Sequence, residues 1–379
     1  MPLTAYSISS EKELDVEQLL DQLSARAGIG RISLEDLPDA WRAHIRTDLE
    51  CPCCFVVGAE IVREAVSRTS GRAVRQACFR FAVPGHQTHC DFASSERANA
   101  TPENLIPFGV ANSNLTRAVR ELVCTGIQVG TFNQRSIRDM REWFFNKKAE
   151  ALFEVTLDPR VPKWVAGLSR TTAHSFGPLP LGVALTAEIA SVPGFDWVSE
   201  ASRRQRARHQ EILDAIQQQR LWIHDTADRI ESLAKRYQGQ VVFDPSVLAV
   251  EYGKSQALAS FIFRNYDPIK PGSRNGSIAV SVLALSALLL FVSNWDLNSA
   301  TATFAAIAAA AGRSDETLGN VMGLNPFHDY DAWDRLKRLQ ALRIAVPEND
   351  DPKAELKQIE MEIRSQFQGL PKMLPAPLA

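Results

Sequence analysis

The sequence predicts a mainly α-helical, multi-domain protein that carries one small zinc-bound α+β module. Three observations lead to this fold class. The chain has 379 residues, enough for two or three domains with a sizeable core. Apolar residues recur at the spacing of amphipathic helices through several long segments. Five of the six cysteines lie within the 40 residues from Cys51 to Cys90, among turn residues and short apolar runs.

The predicted elements divide the chain into six segments. These are an N-terminal helical segment (1–45), a zinc-binding module (46–100), a helical or mixed region (101–196), a long amphipathic helix (197–238), an apolar helical region with a small β element (239–350), and a C-terminal helix with a loose tail (351–379). Helices are expected over 11–27, 114–126, 134–148, 197–237 and 354–367. Residues 240–253, interrupted by Pro245, predict a small β-hairpin.

The longest uninterrupted helical pattern in the sequence covers 197–237. Its apolar residues recur at spacings of three, four and seven, and they are Ile212, Ile216, Ile223, Ile230 and Leu233. This repeat predicts one arm of a helical hairpin or a coiled coil. A coiled coil over 197–238 would make the protein a homo-oligomer.

Composition and missing motifs exclude several functional classes. The formal net charge of −2 at pH 7 excludes a uniformly basic nucleic-acid binder, so any such binding needs a local patch. Residues 1–14 lack the basic-then-apolar pattern of a signal peptide, which predicts a cytoplasmic protein with free thiols rather than disulfides. The sequence has no Walker A loop and no dinucleotide-binding glycine pattern, which argues against an NTPase or a dehydrogenase.

The cysteine cluster predicts one structural zinc site. The expected ligands are Cys51, Cys54, Cys78 and Cys90, with His86 and His89 in reserve. The C-x2-C turn at 51–54 supplies two thiolates from one tight loop, and Cys53 inside that turn points elsewhere. Whether Cys90 or a histidine completes the site stays open. A full set of thiolate-rich ligands is typical of a closed structural site, whereas catalytic zinc keeps one position for water.

The residues of this cluster resemble the zinc-binding segment of competence protein CoiA-like proteins over about residues 46–92. Cys51-Pro52-Cys53-Cys54 matches the family's CPxC turn, and a Pro-Gly loop with a His/Cys pair follows. Cys78-Phe79-Arg80-Phe81 stands where that family typically has His-Phe-Arg-His. Members of the group often pair this segment with a nuclease-like domain, so the resemblance implies a role in DNA transactions if it extends further along the chain.

A nuclease of that kind would need two carboxylates and a lysine on neighbouring strand positions. The nearest candidates are Asp244, Glu251 and Lys254. Two residues separate Glu251 from Lys254 where the motif has one, so the two side chains would face opposite sides of a strand. The spacing therefore disfavours nuclease chemistry, and no catalytic residue is predicted.

Four arginines form the densest basic run of the chain. They are Arg203, Arg204, Arg206 and Arg208, followed by His209. A basic run at the start of a helix can contact nucleic-acid phosphates, and the alternative is a solvated helix face. Aromatic residues that could stack on bases do not alternate with these arginines.

The most apolar region covers 275–312. Residues 275–295 contain no charge, and a membrane span needs about 20 residues. A second uncharged stretch, 297–312, follows Asp296, and two spans would place Lys270, Arg274 and Arg313 on the same side of the membrane. A buried helical hairpin is the alternative, because serine, threonine and alanine weaken both stretches as membrane segments.

Three functional hypotheses follow. The first is a non-enzymatic, zinc-containing bacterial accessory protein that binds nucleic acid or a protein partner, in mobile-element, competence or phage-defence biology. The second is an effector associated with the inner membrane, with a cytoplasmic zinc head and a 275–312 hydrophobic hairpin. The third is a divergent metal-dependent nuclease.

Overall fold

The computed structural model describes most of the chain. The described residues are 1–30, 32–66, 73–88, 90–93, 104–107, 114–173, 177–180, 182–269, 279–312, 315–319, 321–348 and 350–367. Across them the protein is mainly α-helical, as predicted. The helices are α1 (Val16–Ala27), α2 (Asp39–Asp48), α3 (Asn114–Gln128), α4 (Gln134–Glu150), α5 (Val161–Thr171), α6 (Ala187–Ala190), α7 (Trp197–Arg208), α8 (Gln210–Gln218), α9 (Ala227–Tyr237), α10 (Ala249–Asn265), α11 (Val280–Val292), α12 (Leu297–Ala310), α13 (Tyr330–Ala341) and α14 (Pro352–Phe367).

The strands are short and form small antiparallel sheets. They are β1 (Thr4–Ser7), β2 (Lys12–Asp15), β3 (Leu49–Glu50), β4 (Ala59–Val62), β5 (Ala65–Val66), β6 (Ala73–Arg75), β7 (Cys78–Phe81), β8 (Leu105–Pro107), β9 (Leu152–Glu154), β10 (Val241–Phe243) and β11 (Met322–Leu324). One sheet has three strands in the order β2-β1-β3, and the pairs β4-β7, β5-β6, β8-β11 and β9-β10 complete the set in the described residues.

The chain forms two compact units, and both are discontinuous in sequence. The first unit consists of Met1–Ala151 and Pro245–His328, and the second consists of Leu152–Asp244 and Asp329–Ala379. The second unit has its own apolar core, in which Trp164, Ile230 and Leu336 are buried. Each of the six predicted segments is continuous in sequence, whereas each compact unit combines two stretches that lie far apart in the sequence.

The N-terminal helix begins later than predicted. Lys12–Asp15 is strand β2, paired with β1, and α1 starts only at Val16. Asp15 sets this start, because its side chain accepts from the backbone N–H of Gln18 while the Gln18 side chain accepts from the backbone N–H of Asp15. The predicted helix at 114–126 continues to Gln128, because Gly126 leaves room for the ring of Phe132 rather than ending the helix.

The prediction of one helix over 197–238 is wrong. The stretch forms α7, α8 and α9, with His209 between the first two and residues 219–226 between the second and third. Ile216, Ile223 and Ile230 are buried inside the second unit's own core. The apolar repeat is therefore satisfied within the chain by α8, α9 and the connection between them, and the coiled-coil seam expected for a homo-oligomer is absent from this fully described stretch.

Residues 240–253 do not form the predicted hairpin. Strand β10 pairs with β9, so that Val241 lies opposite Glu154 and Phe243 opposite Leu152. Pro245–Leu248 is a 3-10 turn, and α10 begins at Ala249. Proline has a fixed φ that suits the first turn of a helix, which explains why Pro245 starts helical structure here instead of interrupting a strand.

The apolar region forms a pair of helices within the first unit. Nine of the 13 residues of α11 are buried, from Ser281 to Leu290, and α11 packs against α3, α4, α10 and α12. Among the described residues, no single helix is long and apolar enough to cross a membrane. Only α11 and α12 taken together meet such a test, by length and composition, and they are bent by 115°. Residues 275–278, with Lys270, Arg274 and Arg313, lie outside the described residues.

Candidate metal centre

A tight turn after β3 presents the first two candidate ligands. Cys51 and Cys54 both lie in the turn that the C-x2-C spacing predicts, and both are fully buried. The backbone N–H of Phe55 donates to the Cys51 carbonyl at 3.0 Å, and the N–H of Cys53 donates to the Cys51 sulfur at 3.5 Å. Backbone N–H groups aimed at a cysteine sulfur stabilise its thiolate form.

The other candidate ligands lie in the loop that follows β7. Pairing of β7 with β4 places Phe81 opposite Ala59 and so brings this loop beside the cysteine turn. The approach is very close at Gly58, where a Cβ atom would lie 2.2 Å from the Val83 carbonyl oxygen. Gly58 also has a φ of 101°, so both its conformation and its surroundings require glycine.

Four side chains converge where the two loops meet. The ligand atoms of Cys51, Cys54, His86 and Cys90 all lie within 4.8 Å of one another. The Cys90 sulfur is 3.4 Å from Nδ1 of His86 and 4.0 Å from the Cys51 sulfur, and the Cys54 sulfur is 3.6 Å from the same nitrogen. The edges of a tetrahedron of sulfur and nitrogen around zinc measure roughly 3.3–3.8 Å, from metal–ligand bonds of about 2.0–2.3 Å. The cluster can therefore hold a metal ion.

The fourth ligand differs from the expected one. Cys78 is the first residue of β7, where it is buried opposite Val62 and outside the cluster. His86, one of the two reserve histidines, takes the fourth position, while His89 lies outside the described residues. The sequence did carry a signal for this outcome: His86 and Cys90 are separated by three residues, so one loop can present both, as the C-x2-C turn presents the other two.

Cys53 is not one of the four clustered residues, although its thiol hydrogen-bonds that of Cys90, and it joins the two loops. Its sulfur accepts a hydrogen bond from the backbone N–H of Asp91 at 3.3 Å and lies 3.6 Å from the Asp91 carboxylate. The other carboxylate oxygen of Asp91 accepts from Nζ of Lys148, on α4, at 2.7 Å. Gln87 adds a third link by donating to the Cys54 carbonyl at 2.9 Å. These bonds fix the ligand loops from outside the cluster.

The buried thiols influence one another's ionisation. Burial raises the pKa of the Cys51 thiol, and the hydrogen bond with Cys51 raises the pKa of Cys90. Hydrogen bonds from Cys51 and Cys90 lower the pKa of Cys54 far below its usual range. Of the three thiols, Cys54 is therefore the one whose thiolate form its neighbours favour. A divalent cation would compensate the charge of all three thiolates.

The arginine run is engaged in ion pairs within the second unit. Arg203 and Arg204 donate to the buried carboxylate of Glu200 at 2.8 and 3.0 Å, and Arg208 donates to Glu362 at 3.1 Å. Burial raises the pKa of the Glu200 carboxyl, but hydrogen bonds from both arginines outweigh it and hold the pKa below its usual value. Arg206 is the member of the run that makes no ion pair with the described part of the chain.

The three residues considered for nuclease chemistry occupy unrelated structural positions. Asp244 directly follows β10 and accepts a hydrogen bond from Lys337. Glu251 and Lys254 lie on α10, and Lys254 donates to the Trp295 carbonyl at 2.7 Å. The helix replaces the strand on which the motif depends, so this segment does not form the metal-binding strand pair of such nucleases.

Comparisons with protein-family models, with curated proteins and with solved structures find no match to this chain. The resemblance of residues 46–92 to CoiA-like proteins therefore stays a prediction.

Proposed function

We propose that the chain is a non-enzymatic accessory protein in which a structural zinc ion, bound by the Cys3His cluster, holds the N-terminal module in shape for binding a macromolecular partner. The single observation that carries this proposal is the convergence of four buried or half-buried ligand atoms within 4.8 Å. Three thiolates and one imidazole are a ligand set that zinc prefers in structural sites.

The surroundings of the cluster support a structural role over a catalytic one. A catalytic zinc typically has three protein ligands and one water, with a general base nearby. Here the fourth position is filled by a protein side chain, and the adjacent Asp91 carboxylate is engaged by Lys148 and Cys53. Zinc in such a site contributes to folding, on the order of 10 kcal/mol in small zinc modules.

A protein partner fits the charge distribution better than nucleic acid. Phosphate contacts require arginines and lysines that are not already neutralised. Arg203, Arg204 and Arg208 are bound by carboxylates of α7 and α14, which removes most of the basic patch that the sequence indicated.

Metal analysis and a nucleic-acid titration on the same purified protein test the proposal. We expect one zinc per chain by elemental analysis and a tetrahedral thiolate spectrum after substitution with Co²⁺. Protein purified from zinc-containing medium with no bound zinc would refute the zinc site. The alternative partner is nucleic acid. It would be supported by binding of duplex DNA that weakens steeply with salt and is lost in the double variant Arg203→Gln, Arg206→Gln.

A further inference from the structure

Helix α4 contacts the candidate metal centre on one side and the turn between α11 and α12 on another. Lys148 of α4 binds Asp91, which follows the ligand Cys90 directly. The ring of Trp143, on the same helix, packs at a tilt against Phe291 and Trp295, with ring centroids 6.0 and 5.2 Å away. A helix of this kind transmits a displacement at one end of its packing to the other, because packed elements move as rigid bodies.

Three residues of α4 contact the segments that carry the candidate ligands. Besides the Lys148–Asp91 pair, the guanidinium of Arg138 lies 4.6 Å from the ring centroid of Phe55 and donates to Glu50 at 2.9 Å. The ring of Phe145 meets Phe55 edge to face, with centroids 6.2 Å apart. Phe55 directly follows Cys54, has a φ of 61° and donates its backbone N–H to the Cys51 carbonyl, so its position depends on the cysteine turn. Loss of the metal ion would therefore loosen these contacts, while the buried Arg141–Glu13 ion pair still anchors α4 to β2.

The α11–α12 turn is the second region that α4 contacts, and its backbone is strained. Asn294 and Trp295 are successive non-glycine residues with φ of 51° and 59°. Such residues persist in the left-handed region only where surrounding contacts hold them. The contacts here are the Trp143 ring, a 2.7 Å bond from the Trp295 N–H to the Leu290 carbonyl, and the Lys254 bond to the Trp295 carbonyl.

We infer that the Cys3His centre is a metal-responsive switch: the bound metal ion braces α4 through Arg138, Phe145 and Lys148, Trp143 of α4 holds the strained α11–α12 turn, and metal loss loosens that turn. This inference rests on the proposed zinc site and adds to it a regulatory output. The two ends are coupled through one helix, so the coupling is reciprocal. Closure of the turn raises zinc affinity by the same factor by which bound zinc favours the closed turn.

Zinc affinity of variants at the turn tests the switch, measured on the full chain by competition with a chromophoric chelator. Trp295→Gly removes the ring that α4 holds, and we expect its zinc affinity to fall by about fivefold. Glycine adopts the left-handed φ of this position readily, so the fall reports the loss of the ring contact. Trp295→Phe keeps an aromatic ring and should stay within about twofold of the wild type. Trp222→Gly, which removes an exposed tryptophan of the second unit, is the matched control and should leave the affinity unchanged.

A second measurement covers the case in which Trp295→Gly folds poorly. Lys148→Met keeps all four ligands, so it should bind one zinc, yet hydrogen exchange of residues 290–297 should rise above the wild-type level, toward the level that zinc removal produces. Wild-type zinc affinity in folded Trp295→Gly, or unchanged exchange at 290–297 in Lys148→Met, would overturn the switch while leaving the zinc site standing. A wild-type protein that binds no zinc would instead refute the proposed function itself.

Discussion

At the scale of single residues, the sequence prediction and the structure differ in one candidate ligand, which is His86 instead of Cys78. Cys78 and His86 lie eight positions apart, and both are plausible zinc ligands by residue type. The β4-β7 pairing decides between them, because it fixes Cys78 in a strand opposite Val62 and leaves His86 in the loop beside Cys54. That pairing joins residues nearly 20 positions apart and cannot be derived from ligand spacing alone.

This assignment leads to a prediction with a built-in control. We expect His86→Ala to abolish stoichiometric zinc, because a site with three ligands and an open position binds the ion more weakly and loses its closed geometry. Cys78→Ala should retain one zinc per chain and cost about 1–2 kcal/mol of stability, since it removes only a buried thiol. Elemental analysis of both purified variants decides the question. Zinc loss in Cys78→Ala with retention in His86→Ala would restore the assignment expected from the sequence.

At the scale of secondary structure, helices with local signals were predictable. Helix α4 matches the predicted 134–148 within two residues, because Asn133 caps its start and its apolar positions repeat regularly. Helix α14 matches 354–367 for the same reason of periodicity. The prediction of one helix over 197–238 failed because periodicity shows which residues face a core and not where the chain bends. Arg220, with a φ of 52°, lies in the connection between α8 and α9 and carries no glycine or proline signal.

The ion pairs that the buried Glu200 carboxylate forms within α7 give a pH-dependent prediction. The pKa of Glu200 is lower in the folded protein than in the unfolded chain, so its ion pairs with Arg203 and Arg204 stabilise the fold fully above the unfolded pKa of about 4.3. This stabilisation is lost as the pH falls through the lower, folded value. We expect Glu200→Gln to lower stability by about 1–3 kcal/mol at pH 7, with a difference that shrinks in acid.

Urea titrations of wild type and Glu200→Gln between pH 7 and pH 3 measure this effect. Glu211→Gln, at an exposed carboxylate of α8, is the matched control and should show no pH-linked difference. A Glu200→Gln difference that is constant from pH 7 to pH 3 would mean that the carboxylate acts through packing rather than through its charge.

At the scale of the whole molecule, the division into two discontinuous units was beyond the reach of the sequence. Composition and helical patterns vary gradually across 152–244 and 329–367, yet these stretches share one core, with Trp164, Ile230 and Leu336 buried together. Long-range pairing of this kind is determined by which apolar faces fit one another. A single sequence shows the faces but not their partners.

The two-unit organisation predicts where metal removal acts. All four ligands of the candidate site belong to the first unit, whereas the second unit has a separate core and no candidate metal cluster among its described residues. We therefore expect a zinc chelator to raise hydrogen exchange in α4 and the ligand loops, and to leave α5, α9 and α13 protected. Equal loss of protection in both units would show that they unfold as one cooperative body.

The discontinuity of the first unit also has a consequence for synthesis on the ribosome. The four candidate ligands and α4 belong to the first 151 residues, but α10, α11 and α12 follow only after the 152–244 stretch has been made. At roughly 5–20 residues per second, the apolar pair emerges on the order of ten seconds or more after α4. All four candidate ligands are thus synthesised before Phe291 and Trp295, the aromatic residues that pack on Trp143, so the candidate site can form before the first unit is complete.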